Sequence, residues 1–432
     1  MKKIKFIGVL FLLAITNVYA QTKDMALKNF MGDRFGMFIH WGPVSLRGTE
    51  IGWSRDREVS KEDYDNLYKE FNPVLFNADE WVKAARDAGM KYLTITARHH
   101  DGFCLWPSKF TTYSIANTPY KKDIVGALQK ACKKQGIKFC IYYSVLDWHH
   151  PDYPIHSAHN NTIDPKSDMQ RYLTYMKNQL KELITNYDPY MLWFDGQWES
   201  PWTDEMGKEL YAYLHQLKPD IITNNRLGKE FAATKNKAID ADKMVGDYDT
   251  PEQVVGRLNM TTPWESCFTL CKQWAWKPND KMQSLEQCLS ILSRTAGGNG
   301  NLLLNVGPMP DGRIESRQVK RLQEIGDWLK VNGKAVYNTL GGPYEPTPAY
   351  ATTRKGNSIY LHVLKTDTAQ LTLKSIPDVK IVSARLLNGN AVTITEQDQQ
   401  FTVQLPANKR GQLEYIIELE TTANTEKLPV IK

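Results

Sequence analysis

Cysteine is scarce in this sequence, with 6 residues among 432. That number is too small for a disulfide scaffold in so long a chain. The spacing leaves two bridges open, Cys132 with Cys140 and Cys267 with Cys271, but buried free thiols are the expected state for most of these residues. A hydrophobic core, rather than covalent cross-links, must therefore hold the fold together.

A long hydrophobic run is also missing, apart from one at the amino terminus. Three lysines precede the apolar stretch Ile7–Ile15, and Val18-Tyr19-Ala20 then ends in small residues, which is typical of a cleaved signal peptide. The stretch is shorter than a membrane-spanning helix requires. We therefore predict a signal peptide at residues 1–20 and an exported protein, periplasmic or secreted, without a membrane span.

Strong charge of one sign is absent too. The formal net charge is +6, and half of the excess lies in the amino-terminal lysines. No basic stripe interleaved with aromatic residues is present, which argues against nucleic acid and anionic membranes as partners. A glycine-rich phosphate loop, a G-x-G-x-x-G motif and a G-x-S-x-G nucleophile elbow are missing, so neither nucleotide binding nor serine-hydrolase chemistry is expected.

Histidines are few, and their spacing does not favour a metal centre. His99 and His100 are adjacent, and His40 is alone on its predicted strand. A metal-dependent barrel hydrolase instead places two histidines at alternate positions of one strand, so that both point inward. We expect neither a metal nor another cofactor.

What the sequence does contain is a repeated alternation of short apolar runs and amphipathic segments, from about Arg34 to Pro308. This pattern is typical of βα units. Seven or eight such units predict an α/β fold, a (β/α)8-type (TIM-like) barrel, whose short sixth and seventh units leave room for an imperfect or partly open ring. The predicted strands are Phe35–His40, Tyr92–Ala97, Lys138–Ser144, Met191–Phe194, Ile221–Thr223, Met244–Gly246 and Leu302–Val306.

The character of the chain changes after Tyr337. Glycine- and proline-containing stretches near residues 341–348 are typical of a linker. Alternating runs separated by turn residues follow, and they predict a C-terminal antiparallel β-sandwich. The predicted domains are thus a catalytic barrel at residues 21–340 and a β-sandwich at residues 341–432. The runs are Ser358–Leu364, Gln370–Leu373, Lys380–Leu386, Gln400–Leu405 and Glu414–Leu419.

Polar and aromatic residues cluster directly after the predicted strands, where parallel barrels build their active sites. Aromatic rings beside His, Arg and carboxylates suit a sugar, which offers apolar C–H faces and hydroxyl groups that need fixed partners. The clusters are His40-Trp41-Gly42, Arg98–Gly102, Tyr142-Tyr143-Ser144, Trp193–Gly196, Asn224–Arg226 and Gly246–Glu252.

Cleavage of a glycosidic bond needs two carboxyl groups. Asp195 is the stronger nucleophile candidate, because it ends the apolar run Met191–Phe194 and Gly196 follows it, although a helix-capping aspartate would give the same pattern. The acid/base partner stays open at this point. Its candidates are Glu252, Glu265, Glu199 and Glu50.

Five sequence blocks occur here in a defined order. They are Phe35–Gly42 (FGMFIHWG), His99–Phe103 (HHDGF), Trp193–Gly196 (WFDG), Trp264–Cys267 (WESC) and Gly298–Pro308 (GNGNLLLNVGP). Together they resemble the α-L-fucosidases of glycoside hydrolase family 29. The resemblance implies a retaining exo-α-L-fucosidase that removes terminal fucose from fucosylated oligosaccharides or glycoconjugates by double displacement. It implies Asp195 as nucleophile and Glu252 as acid/base, with Glu265 as the second candidate for the latter role.

The same resemblance implies which residues bind fucose. Carried over onto this sequence, they are His40, Glu50, Trp53, His99, His100, Tyr142, Trp193 and Arg226. Only one of Tyr142 and Tyr143 can line the pocket, because successive strand residues face opposite ways, and we choose Tyr142. A glycosidase of other sugar specificity, a non-catalytic sugar-binding protein and a metalloenzyme are the alternatives.

Fucose chemistry adds two expectations. The C5 methyl group needs an apolar niche, and Glu252 should lie in a dry setting that keeps it protonated until it donates to the leaving oxygen, while Asp195 is ionised. Tryptophans on loops after the strands are candidates either for contacts with the aglycone or for structural packing. They are Trp198, Trp202, Trp274 and Trp276.

Overall fold

The computed structural model describes residues 23–229, 241–387 and 389–431. The predicted signal peptide at residues 1–20 lies outside them. Within the described ranges, every helix is too short or too polar to cross a bilayer. All six cysteines are free, so neither of the two bridges that the spacing left open is formed.

A seven-stranded parallel sheet forms the centre of the larger part of the chain. Its strands lie in the order β5-β4-β3-β2-β1-β7-β6, and each neighbouring pair is parallel. Nearly all their residues are buried, as expected for a parallel sheet that is covered on both faces. The strands are β1 (Phe35–Ile39), β2 (Tyr92–Arg98), β3 (Lys138–Ser144), β4 (Met191–Asp195), β5 (Ile222–Thr223), β6 (Glu265–Thr269) and β7 (Asn301–Val306).

Helices alternate with these strands and begin and end at the signals that the sequence carries. Residues 23–33 are helical. The later helices are α1 (Lys61–Asn66), α2 (Ala78–Asp87), α3 (Ile124–Gln135), α4 (Met169–Tyr187), α5 (Asp204–Leu217), α6 (Leu285–Gly297) and α7 (Ser316–Asn332). The Asn77 side chain accepts a hydrogen bond from the Glu80 N–H at the start of α2, and Gly136 ends α3 with a left-handed φ of 72°.

The sixth predicted strand, Met244–Gly246, does not form a regular strand. Gly246 has a φ of 145°, and a Cβ at this position would lie 2.2 Å from the Asn224 carbonyl oxygen, so the close approach requires glycine. Residues 245–252 instead span the gap between β5 and β6. They do so through single parallel bridges that join Val245 to Arg226, Tyr248 to Asn224, Asp249 to Trp264 and Glu252 to Cys267.

Strand β6 is the one member of the parallel sheet that the sequence did not predict. Its residues are Glu-Ser-Cys-Phe-Thr, and all five are buried. Polar side chains at the start of the strand find hydrogen-bond partners inside the protein: Glu265 accepts from Trp193, and Ser266 donates to the Val254 carbonyl. Because these buried residues are polar, the apolar run that would mark a strand is absent.

Two antiparallel sheets follow the parallel one, in the orders β12-β15-β10-β9-β8 and β11-β14-β13. Side chains of both sheets share one hydrophobic cluster, which includes Leu361, Ile417, Leu373 and Phe401. The antiparallel strands predicted for this region are confirmed, whereas the domain boundary near residue 340 stays a prediction. The strands are β8 (Leu340–Gly341), β9 (Tyr350–Lys355), β10 (Ser358–Val363), β11 (Gln370–Lys374), β12 (Ile381–Leu386), β13 (Ile394–Gln397), β14 (Gln400–Gln404) and β15 (Tyr415–Thr421).

Candidate active site

A cavity of about 230 Å³ lies at the carboxyl ends of the parallel strands. Asp195 is the last residue of β4, His40 follows β1, and His99 and His100 follow β2, so the strand order brings these side chains to one place. The lining residues are Phe38, His40, Trp53, His99, His100, Tyr142, Trp193, Asp195, Trp198, Arg226, Glu252, Cys267 and Trp274.

The two candidate carboxylates share one guanidinium group. Arg226 donates from Nη1 to Asp195 Oδ1 and from Nη2 to Glu252 Oε2, each at 2.9 Å. The Tyr142 hydroxyl donates to Asp195 Oδ2 at 3.1 Å, and His100 Nε2 lies 3.6 Å from the same oxygen. Two acidic side chains from different parts of the chain therefore face one cavity and are held by one cation.

Arg226 is itself buried and fixed in place. Its Nε donates to Thr250 Oγ1 at 2.9 Å and its Nη2 to the Thr250 carbonyl at 3.2 Å. The guanidinium carbon lies 4.6 Å from the centroid of the Trp193 ring, which is a cation–π contact. Burial lowers the pKa of Arg226, but the neighbouring Asp195 and Glu252 outweigh it and raise the pKa overall, so the group stays a cation.

The two carboxylates differ in their access to solvent. The Asp195 side chain is 12% exposed and the Glu252 side chain is 32% exposed. The dry setting that we expected for Glu252 is therefore wrong, since this side chain lies at the open side of the cavity and is paired with Arg226. Asp195 is the deeper of the two.

Three neutral histidines form one wall of the cavity. Burial lowers the pKa of His40 and of His100 to about 3, and it lowers the pKa of His99 as well. His40 Nδ1 lies 2.7 Å from Asn305 Oδ1, while the Asn305 amide nitrogen donates to the Trp274 carbonyl. The proton of His40 is thus on Nδ1, and its Nε2 is an acceptor, which suits a hydroxyl group rather than an anion.

Comparison with known proteins assigns this arrangement to a family. The profile described as Alpha-L-fucosidase matches residues 16–334. The chain belongs to the α-L-fucosidase family. The resemblance drawn from the five sequence blocks, to glycoside hydrolase family 29, is therefore confirmed, and so is the enzyme class, a fucosidase glycoside hydrolase.

The similarity extends over most of this fucosidase and its relatives. An α-L-fucosidase of Branchiostoma floridae is 29% identical over 423 residues, which cover 88% of this chain and 89% of that protein. The structure of α-L-fucosidase isoenzyme 1 from Paenibacillus thiaminolyticus has a TM-score of 0.83 at 32% identity and covers 93% of this chain and 99% of that one. A family 29 α-L-fucosidase of Bacteroides thetaiotaomicron, trapped as a covalent intermediate with 2-fluoro-fucosyl fluoride in a glutamate-to-glutamine variant, has a TM-score of 0.81 at 30% identity and covers 92% and 96%.

Most of the residues named from the sequence line the cavity of this fucosidase, but Glu50 does not. Its carboxylate accepts hydrogen bonds from the backbone N–H groups of Trp274 and Ala275, both at 2.9 Å, and of Ile51 at 3.1 Å. These contacts indicate that Glu50 positions the segment carrying Trp274, whose ring does line the cavity. A direct contact of Glu50 with fucose, as the resemblance implied, is not what its surroundings favour.

Glu265, the second candidate for the acid/base role, also lies outside the cavity lining. It is fully buried beneath Trp193 and accepts hydrogen bonds from the Trp193 indole at 3.0 Å, from the Tyr248 hydroxyl at 3.4 Å and from the Tyr92 hydroxyl. Burial raises the pKa of the Glu265 carboxyl to about 7, although these hydrogen bonds oppose the rise. Its place favours support of Trp193 over proton transfer to a substrate.

The strand periodicity separates the two tyrosines of β3. Tyr142 lines the cavity, whereas the Tyr143 hydroxyl donates to Gln179 Oε1 at 2.8 Å on the other face. Among the four loop tryptophans, Trp198 and Trp274 line the cavity, and Trp202 is buried with its indole bonded to the Leu227 carbonyl.

Sequence reasoning missed Phe38 and Cys267 as lining residues. Phe38 precedes His40 by two positions, so both point to the same side of β1, and their ring centroids are 4.5 Å apart. The strand period could therefore have identified Phe38. Cys267 lies on β6, which was not predicted, and the Trp264–Cys267 block did not indicate which of its residues face the cavity.

The raised pKa of Glu265 predicts a pH-dependent stability. The carboxyl has a pKa of about 7 in the folded protein and an ordinary value of 4.5, so the folded state keeps a proton that the unfolded state releases between these values. The stabilisation is present below pH 4.5 and is lost as the pH rises to 7. A Glu265→Gln variant cannot lose this proton, so its free energy of unfolding should rise relative to the parent across this window, by on the order of 3 kcal/mol.

Urea unfolding of both proteins at closely spaced pH values from 4 to about 8 measures this difference. Parallel stability curves for the two proteins would contradict the assignment of a proton to Glu265.

Proposed function

We propose that this chain is an exported, retaining exo-α-L-fucosidase that hydrolyses terminal α-L-fucose from fucosylated glycans. The observation that carries the proposal is the pair of carboxylates, Asp195 and Glu252, that one guanidinium holds at the same cavity. Such a shared contact keeps the two groups near each other. Retaining enzymes need the shorter carboxyl spacing, of about 5–5.5 Å.

The exposure of the two groups supports different roles for them. Asp195, the deeper carboxylate, attacks the anomeric carbon and forms a glycosyl ester as the aglycone oxygen leaves. Glu252, at the open side, lies where the aglycone departs and gives its proton to that oxygen. In the second step Glu252 takes a proton from water, the hydroxide oxygen bonds to the anomeric carbon, and the ester bond to Asp195 breaks.

Arg226 contributes to both steps. A cation between two carboxylates lets Glu252 exchange a proton without leaving a charge uncompensated, because the guanidinium keeps its partner Asp195. When the ester forms, Asp195 becomes neutral, and Glu252 is then the carboxylate that pairs with Arg226. This ion pair stabilises the carboxylate form of Glu252, which the second step requires as base.

The other residues that line the cavity suit a fucose ring. The neutral histidines offer donors and acceptors to ring hydroxyls. Phe38 and Trp274, with ring centroids 6.0 Å apart, provide an apolar niche for the C5 methyl group. A cavity of about 230 Å³ supports removal of one terminal sugar at a time.

The Bacteroides relative adds chemical support. That protein was trapped as a covalent intermediate in a glutamate-to-glutamine variant, which is the behaviour of a retaining enzyme whose acid/base is a glutamate. We carry this mechanism to Asp195 and Glu252 as a proposal.

The wider setting of the enzyme is part of the same proposal. Residues 1–20 are a signal peptide, residues 21–340 form an imperfect (β/α)8-type barrel that residues 245–252 complete, and residues 341–432 form a β-sandwich. The single bridges from this segment to both β5 and β6 support the ring, and the shared hydrophobic cluster supports the sandwich.

Loss of Asp195 should abolish turnover and redirect the stereochemistry. Asp195→Gly is expected to lower kcat on 4-nitrophenyl α-L-fucoside by several orders of magnitude, because no group then forms the glycosyl ester. Azide should enter the vacated space and yield the β-configured fucosyl azide, since it displaces the leaving group directly. Circular dichroism checks the fold, and NMR of the product gives its configuration. Near-normal turnover without azide would contradict the nucleophile assignment.

Azide rescue also distinguishes between Glu252 and Glu265 as the acid/base residue. For Glu252→Ala, an activated substrate still forms the glycosyl ester, and azide, which needs no general base, should then restore turnover and give the α-configured azide. Glu265→Ala should show no rescue, because its carboxyl does not line the cavity. Rescue of the Glu265 variant alone would transfer the acid/base role to that residue.

A further inference from the structure

Two tryptophans stand exposed at the rim of the active-site cavity. Trp53 is 38% exposed and Trp198 is 39% exposed, and no other of the twelve tryptophans, all of which lie in the described ranges, is as exposed. Their ring centroids are 6.0 Å apart and their planes differ by 18°, so the rings are stacked. We call Trp53 and Trp198 the tryptophan pair.

The tryptophan pair lies next to the proposed chemistry. Both rings meet the His100 ring edge to face, with centroids 5.8 Å and 5.2 Å away, and His100 Nε2 is 3.6 Å from the Asp195 carboxylate. Both residues also line the same cavity as Glu252. The His100 ring therefore separates the tryptophan pair from the proposed nucleophile, and the pair lies at the solvent-exposed side of the cavity.

The surroundings hold the pair in place. The Trp53 ring packs against Trp148, with centroids 5.4 Å apart. The Trp148 indole and the Tyr153 hydroxyl donate to the two oxygens of Glu199, at 2.9 Å and 2.5 Å, and Glu199 directly follows Trp198. The buried carboxylate of Glu199 therefore anchors the loop that carries Trp198. It also connects this loop to Trp148, the residue against which Trp53 packs.

An exposed aromatic patch beside a cavity is typical of a ligand-binding surface. Neither indole N–H of the tryptophan pair has a hydrogen-bond acceptor among the parts of the chain that the structure describes. A ring face beside a free N–H donor matches a pyranose, whose C–H face stacks on the ring and whose hydroxyls accept from the nitrogen. The negative π face disfavours an anionic sugar at this place.

We propose that the tryptophan pair is an aglycone subsite, which binds a neutral hexopyranose or N-acetylhexosamine to which fucose is attached. This inference rests on the fucosidase function proposed above, because the aglycone is defined by the bond that Asp195 and Glu252 cleave. Trp53, for which the resemblance implied a contact with fucose, is thus assigned to the aglycone, and the tryptophan pair is expected to favour glycan substrates over simple fucosides.

The test compares two substrates that differ in the aglycone. One is the best-cleaved member of a set of α-L-fucosyl disaccharides with galactose or N-acetylglucosamine, and the other is α-L-fucosyl fluoride, which has no aglycone ring. For each protein, the ratio of kcat/KM for the disaccharide to kcat/KM for the fluoride is measured. Trp198→Ala should lower this ratio about tenfold, because only the disaccharide loses a stacking partner.

Two further variants make the result specific. Trp198→Phe keeps an aromatic ring but not the N–H group, so its ratio should lie between those of the parent and Trp198→Ala. Phe110→Ala removes an exposed aromatic ring away from the cavity lining and should leave the ratio at the parent value.

A ratio for Trp198→Ala within about twofold of the parent, or an equal fall in Phe110→Ala, would overturn the subsite. If the parent enzyme failed to hydrolyse fucosyl fluoride at all, the proposed function would fall, and this inference with it. Should Trp198→Ala not fold, the Trp198→Phe ratio decides, with a value equal to the parent's counting against the proposal.

Discussion

The site depends on the contacts that the Arg226 guanidinium group makes with two carboxylates. It is buried, it pairs with Asp195 and Glu252, and it rests on the Trp193 ring. A buried cation without partners would cost several kcal/mol, and the ion pairs with the two carboxylates offset this cost. The same cation also offsets the electrostatic repulsion between the two carboxylates in the cavity without a bound substrate. The positions of the two carboxylates that we propose as nucleophile and proton donor follow from one structural requirement.

A second set of contacts, beneath the cavity, connects Arg226 to the parallel sheet. Trp193 supports Arg226 from below, and Glu265 holds the Trp193 indole through a hydrogen bond of 3.0 Å. A carboxyl in this position replaces apolar packing with directional contacts, which fix the orientation of the ring at a cost in stability. Glu50 has a comparable role, because it accepts a hydrogen bond from the Trp274 backbone N–H and so fixes the backbone there. Side chains of the cavity lining are thus oriented by polar residues that lie outside the lining.

The sequence predicted the parts of the fold that have strong apolar runs. β1 to β4 and β7 are of this kind, and polar residues at the carboxyl ends of β1 to β4 meet at the cavity, as the rule for parallel strands requires. β6 has no such run, because Glu265 and Ser266 are buried with polar partners. The segment at 245–252 could not be recognised either, since single bridges impose no residue pattern. For Glu50 and Glu265, the sequence indicated a carboxyl group near the site, but the direction of each side chain depends on hydrogen-bond partners that are distant along the chain.

Direct identification of the residue that bonds to fucose tests the account at its centre. Glu252→Gln would be incubated with 2-fluoro-fucosyl fluoride, whose fluoride leaves without a proton and whose 2-fluoro group slows hydrolysis of the ester. Intact-mass analysis should give one added 2-fluorofucosyl group per chain, and tandem mass spectrometry of a peptic digest should locate it on Asp195. A label on any other residue, or complete turnover of the reagent without a covalent adduct, would contradict the double-displacement mechanism proposed for this enzyme.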